Sequence, residues 1–247
     1  MPVTERPGDR PSERRGAART AVVWGALDPV LADGSLDVLD IGGGTGGLAV
    51  RVAELGHRVT VVDPSPDALA ALDRRAREVG VQVASHQGDL STLDEVVGPD
   101  AADVVLCHGV LEVVADPATA LRALRAVLRP GGTLSLLVAQ RHAAVVARAM
   151  AGHFQQALAL LEETGGTAQA PGRSGRRFTR SEIGDLLAAA DFEVGTVHAV
   201  RVFADLVPGS LLDSEPGAAA ALVELERAVA DRPEYLPLAT QLHLLAR

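Results

Sequence analysis

The 247-residue chain has no lysine and one cysteine, Cys107, and its aromatic residues are limited to four Phe, one Trp and one Tyr. Without a second thiol no internal disulfide forms, which suits a reducing compartment. Cys107 lies inside the apolar run Val104–Cys107 and reads as a small residue of a buried strand. Scarce aromatics leave a core of Leu, Val and Ala, within a hydrophobic fraction of 47% that is ordinary for a globular domain. All 23 basic residues are arginine, and with Ala and Gly also abundant this reads as a coding bias, so arginine richness carries no functional weight. The net charge of −9 excludes indiscriminate attraction to a polyanion and leaves room only for a local basic surface. No stretch approaches the roughly 20 apolar residues of a membrane helix, and no apolar h-region opens the chain. The expectation is a soluble cytoplasmic protein that uses no metal, because the seven histidines show no ligand spacing with acids or cysteine.

Residues 1–14 contain Pro2, Pro7 and Pro11 among charges and have no apolar periodicity, which predicts a disordered tail. The remainder, 15–247, reads as one domain. A first helix is expected from Arg15 to about Leu31. From Leu36 onward apolar strands alternate with amphipathic helices, the pattern of a mostly parallel sheet covered on both faces. Strands are predicted at 37–41, 57–62, up to Gln87, 103–108 and 133–139. Helices open at Ser65-Pro66 and Asp116-Pro117, and stop at Gly56 and Gly80. A long helix over 143–163 and a Gly/Pro/Ser-rich loop over 165–175 form a cap or insertion around 141–180. Thr179 and Glu182 then make a capping box. Val194, Thr196, His198, Val200 and Val202 alternate as a strand with Arg201 on its other face, a helix covers 217–230, and an antiparallel strand, Leu242–Ala246, closes a seven-stranded sheet.

The chemistry is concentrated at Asp40-Ile41-Gly42-Gly43-Gly44-Thr45-Gly46. Glycines remove the Cβ atoms from a strand-to-helix turn so that backbone can touch a ligand, and Asp63, at the tip of the next strand, is placed to accept hydrogen bonds from a ribose diol. Gly42, Gly44 and Gly47 also satisfy the spacing of a dinucleotide-binding turn. Asp40 separates the readings: its carboxylate would repel a pyrophosphate but can pair with the ammonium of the methionine moiety of S-adenosylmethionine.

These residues resemble the class I S-adenosylmethionine-dependent methyltransferases, whose glycine loop, second-strand acid and Leu128-Arg129-Pro130-Gly131-Gly132 turn stand here in order. The likeness extends to Arg15–Arg19 with Trp24, His108–Pro117, Ala151-Gly152-His153-Phe154 and Val200-Arg201-Val202-Phe203. With these it is similar to the branch that esterifies the carboxylate of 5-carboxymethoxyuridine at the tRNA wobble position. The resemblance implies a Rossmann-like α/β fold and S-adenosylmethionine as cofactor. It implies that Arg19 binds the methionine carboxylate, that Gln87, Gly88 and Asp89 hold adenine, and that His108 lines the methionine end. Asp89 has the alternative of capping the next turn. Arg201 is the candidate to orient the acceptor carboxylate, and Arg173, Arg176, Arg177 and Arg180 are candidates for tRNA phosphates. Two further readings stand beside a tRNA substrate: a methyltransferase acting on a small-molecule carboxylate or hydroxyl, and a cofactor-binding protein without catalysis.

Overall fold

A computed structural model describes residues 11–32, 34–162 and 175–247. Its described elements follow the chain as helix α1 (Pro11–Leu27), β1 (Asp37–Ile41), α2 (Ala49–Glu54), β2 (Arg58–Asp63), α3 (Pro66–Val79), β3 (Val83–Gln87), α4 (Leu93–Val96), β4 (Ala102–His108), α5 (Pro117–Val127) and β5 (Leu128–Ala139). There follow α6 (Arg141–Met150), α7 (Phe154–Glu162), α8 (Arg180–Ala188), β6 (Val194–Val200), α9 (Gly209–Ser214), α10 (Ala218–Val229), a 3-10 turn at Leu236–Leu238, and β7 (Gln241–Ala246).

The seven strands form one sheet in the order β3-β2-β1-β4-β5-β7-β6. All neighbours are parallel except those of β7, which runs antiparallel to both β5 and β6. Because β6 is therefore parallel to β5, it presents its carboxyl end on the same edge as β1, β2 and β4. The order reverses between β1 and β4, the switch point where open α/β sheets bind ligands. Two cores cover the two faces. Val22, Val23 and Leu27 of α1, with residues of α2 and α3, bury one face; Leu121 and Leu124 of α5 and Ile183 and Leu187 of α8 bury the other.

The helix starts are locally encoded. Ser65 Oγ accepts from the Ala68 N–H at 3.3 Å with Pro66 at the first helical position, and Asp116 caps α5 in the same way through Ala118 at 3.0 Å. Thr179 and Glu182 form the reciprocal capping box of α8.

Four expectations need correction. Helix α1 begins at Pro11, so residues 11–14 belong to the fold; residues 1–10 of the expected tail lie outside the described residues. The long helix breaks into α6 and α7 because Gly152 takes a left-handed φ of +77°. Of the loop expected at 165–175, residues 165–174 lie outside the described ones. Strand β5 begins at Leu128, before the Pro-Gly-Gly turn: its register jumps from Ala102/Leu128 to Val104/Thr133, so Arg129–Gly132 bulge without leaving the sheet. Strand β6 stops at Val200, because Arg201 turns the chain with a left-handed φ of +61°.

Candidate active site

Beyond β1 the backbone turns into α2 through Gly42–Leu48. Gly44 sits at φ +56°, a conformation that glycine adopts without steric cost, and so directs its N–H onto Asp63 Oδ2 at 2.9 Å. The Ser65 N–H donates to Asp63 Oδ1 at 2.9 Å. One buried carboxylate thus ties together the two turns that follow β1 and β2. Gly43 is required by close approach: a Cβ there would stand 2.6 Å from Asp40 Oδ2 and 3.0 Å from Val61 Cγ1.

Arg19 and Trp24 of α1, Asp40, Gly42, Gly43 and His108 line one cavity of about 340 Å³ at the switch point. Helix α1 is held over it from two sides. Ala18 is buried against Ala204 and Leu222, and the Arg51 guanidinium lies 4.0 Å from the Trp24 ring centroid. Asp40 is 4% exposed, and its carboxylate makes no hydrogen bond with any described residue. Burial, reinforced by repulsion from Asp63 and opposed by Arg19, pushes its pKa up to about 7. A buried, unpartnered carboxylate facing a cavity suits a cationic ligand.

Burial also pulls His108 down to about 3, with the nearby Arg19 cation adding to the effect, so its ring is neutral at physiological pH. Arg19 itself is lowered by burial and by Arg201, against the attraction of Glu112 and Asp40. Glu112, which lies in the His108–Pro117 segment but receives no role there, is half-buried with its pKa raised by desolvation, and its Oε1 accepts the Ala139 N–H at 2.7 Å.

The candidate residues fall into two groups. Arg19, Asp40, Gly42, Gly43 and His108 share the cavity. Gly44, Asp63, Gln87, Gly88 and Asp89 lie along the tips of β1, β2 and β3, where the Gly88 N–H donates to the Asp63 carbonyl at 3.2 Å and Gln87 Nε2 to the Pro64 carbonyl at 3.3 Å. Asp89 caps its own turn, accepting from the Ser91 N–H at 2.8 Å and hydroxyl at 2.6 Å. Arg201 stands at the carboxyl end of β6 already paired with Asp205 at 2.5 Å, and its Nε is buried without a partner among the described residues. Its turn is held by Glu226, fully buried, whose carboxylate accepts the N–H groups of Val202, Phe203 and Ala204 at 2.9, 2.8 and 2.7 Å. Arg176 must be removed from the phosphate candidates: it is 5% exposed and donates to the Val114 carbonyl at 2.9 Å. Arg173 lies outside the described residues.

Residues 39–134 match the family model of the methyltransferase domain. The tRNA 5-carboxymethoxyuridine methyltransferase of Escherichia coli strain K12 is 32% identical over 244 residues, covering 94% of this chain and 89% of that protein. The chain belongs to the class I S-adenosylmethionine-dependent methyltransferases. The ubiquinone biosynthesis O-methyltransferase of Xanthomonas euvesicatoria is 36% identical over 115 residues, 47% of this methyltransferase and 48% of that one. The crystal structure of the Burkholderia thailandensis 1,6-didemethyltoxoflavin-N1-methyltransferase, with bound S-adenosylhomocysteine, superimposes with a TM-score of 0.57 at 23% identity, covering 99% of this chain and 92% of that one. S-adenosylmethionine is the cofactor of this enzyme, in agreement with the unpartnered acid in its cavity. Among the described residues no helix is long and apolar enough to cross a membrane.

Proposed function

We propose that the enzyme transfers the methyl group of S-adenosylmethionine to a carboxylate, that of 5-carboxymethoxyuridine at the wobble position of tRNA. The observation that supports this reading is a cavity at the carboxyl edge of the sheet lined by Arg19 and by His108, whose basicity burial lowers, with Arg201 at the carboxyl end of β6. A carboxylic acid of pKa near 4 is already ionised at neutral pH and needs no base, whereas a phenol of pKa near 10 does.

In this reading Asp40 pairs with the cationic methionine end of the donor, Arg19 with its carboxylate, and Asp63 with its ribose hydroxyls. Gln87, Gly88 and Asp89 border the adenine. The donor supplies an electrophilic methyl on a sulfonium sulfur. Arg201 orients the acceptor carboxylate and neutralises repulsion between it and Asp40 and Glu112, so that the reaction depends on alignment and on exclusion of water from the cavity. The full-length likeness to the Escherichia coli enzyme supports the tRNA acceptor. Arg177 and the exposed Arg180 stand closest to the role of phosphate contacts.

The test is transfer of a radiolabelled methyl group into tRNA that carries the carboxylated wobble nucleoside, against tRNA that lacks it and against free small carboxylic acids and phenols. Label confined to the first tRNA and released by mild alkali, as an ester is, supports the reading. Alkali-stable label in tRNA rejects esterification of the carboxylate, and label only in a small molecule rejects the tRNA acceptor in favour of a metabolite.

A further inference from the structure

Beneath the cavity a row of polar side chains crosses four strands. His108 of β4, Ser135 of β5, His243 of β7 and His198 of β6 lie on the sheet face of Val104, Leu106, Leu137 and Val200, the face covered by α1, α2 and α3. Ser135 and His243 are fully buried. Ser135 Oγ is 2.9 Å from His108 Nε2 and 2.8 Å from His243 Nε2. His198 stacks on His243 with centroids 5.4 Å apart and an interplanar angle of 27°, and its Nε2 is 3.3 Å from Asp231 Oδ1.

One hydroxyl proton serves two contacts, so one imidazole must donate to Ser135 and the other must accept from it. Both rings are neutral, with one N–H each, because burial holds His108 and His243 well below their ordinary values. The direction is decided at His243, whose Nδ1 is sealed from solvent without a partner among the described residues. If Ser135 donated to His243, the proton of that ring would sit on Nδ1 as an orphaned buried N–H. In the opposite sense the proton sits on Nε2, where Ser135 receives it, and only a lone pair goes unmet at Nδ1. Orphaned buried donors are the rarer defect.

We infer that Ser135 and His243 are positioning residues that hold His108 with its proton on Nδ1, as a neutral hydrogen-bond donor to a carboxylate bound in the cavity. His108 lines that cavity and its Nδ1 has no partner among the described residues. Arg19 lines the same cavity, so a carboxylate held there by Arg19 has this second donor beside it. The carboxylate belongs either to the methionine end of the cofactor or to the acceptor, and only the second assignment rests on the function proposed above.

Long-range proton–nitrogen NMR on the unliganded, nitrogen-15-labelled protein reads the tautomer directly, with no substrate involved. The expected spectrum shows His108 protonated on Nδ1 and His243 on Nε2. His108 protonated on Nε2, or a mixture of both forms, overturns the inference even if the acceptor is correctly identified. Ser135→Ala then removes the lock, and His108 should redistribute between tautomers in the same spectrum. Affinity for S-adenosylhomocysteine, or the acceptor KM at saturating donor, should weaken about twofold where the two tautomers become equally populated and more where Nε2–H prevails, in step with the Nδ1–H fraction read in the spectrum. Weakening of the first identifies the cofactor carboxylate and of the second the acceptor; no change in either overturns the role. If the variant fails to fold, the wild-type spectrum decides alone.

Discussion

Asp40→Asn is expected to make the unliganded protein more stable and the enzyme worse. An aspartate that titrates near 7 when folded and near 3.8 when unfolded costs about 4 kcal/mol when ionised, at about 1.4 kcal/mol per pH unit. Water entry and relaxation around the cavity reduce this, so about 2–4 kcal/mol is expected at pH 8. The folded chain binds the Asp40 proton more tightly than the unfolded chain, so this contribution to stability falls as pH rises from about 4 to about 7 and is level above. Buried neutral His108 and His243 work in the other direction, losing stability as pH drops below 6.5. The quantity to measure is therefore the difference between variant and wild type in urea unfolding across pH 4–9, to which these histidines contribute equally on both sides. The variant should lead at pH 8 and the gap should close toward pH 4. The cofactor reverses the preference, because its cationic methionine end favours the ionised carboxylate. Calorimetry near pH 6 in buffers of different ionisation heat should register release of about one proton on binding to wild type and none from this site in the variant, whose affinity should fall at least about tenfold. A variant no more stable at pH 8, a gap that does not vary with pH, or binding to wild type without proton release refutes the assignment of charge at Asp40.

Arg201→Ala should lower kcat/KM for the acceptor about 10- to 100-fold while S-adenosylhomocysteine affinity stays within about a factor of two; an equal loss in both assays ends its role at the acceptor. Glu226→Gln replaces an acceptor oxygen with an amide donor facing three backbone N–H groups, so it should cost about 2–4 kcal/mol and lower Tm by roughly 5–15 °C in a thermal melt. An unchanged Tm shows that the turn carrying Arg201 does not depend on that carboxylate.

The parts of the fold legible in the sequence are those encoded within a few residues. Alternating apolar runs located the strands of a seven-stranded sheet, and Ser65, Asp116 and the Thr179–Glu182 pair marked helix starts where the chain begins them. The glycine loop and Asp63 were legible for the same reason: a turn that must admit φ above zero and a strand-end acid are both local signals. The failures share the opposite cause. The arginine-rich segment gave no sign that Arg176 would be drawn inward onto the Val114 carbonyl, 62 residues away. Alternation alone carried β6 through Val202, whereas Glu226 on a distant helix captures three successive N–H groups and bends the chain at Arg201.

Local composition and periodicity, by themselves, determined the class of fold, the position of the glycine loop and the acids at the ends of β1 and β2. Only the tertiary structure decided how burial perturbs Asp40, which arginine lines the cavity and which is buried away from it, and how His108 is joined through Ser135 to His243, a contact spanning 108 residues. Burial, the proximity of like charges and the path of a shared proton are properties of side chains brought together across strands, and no spacing along a single chain records them.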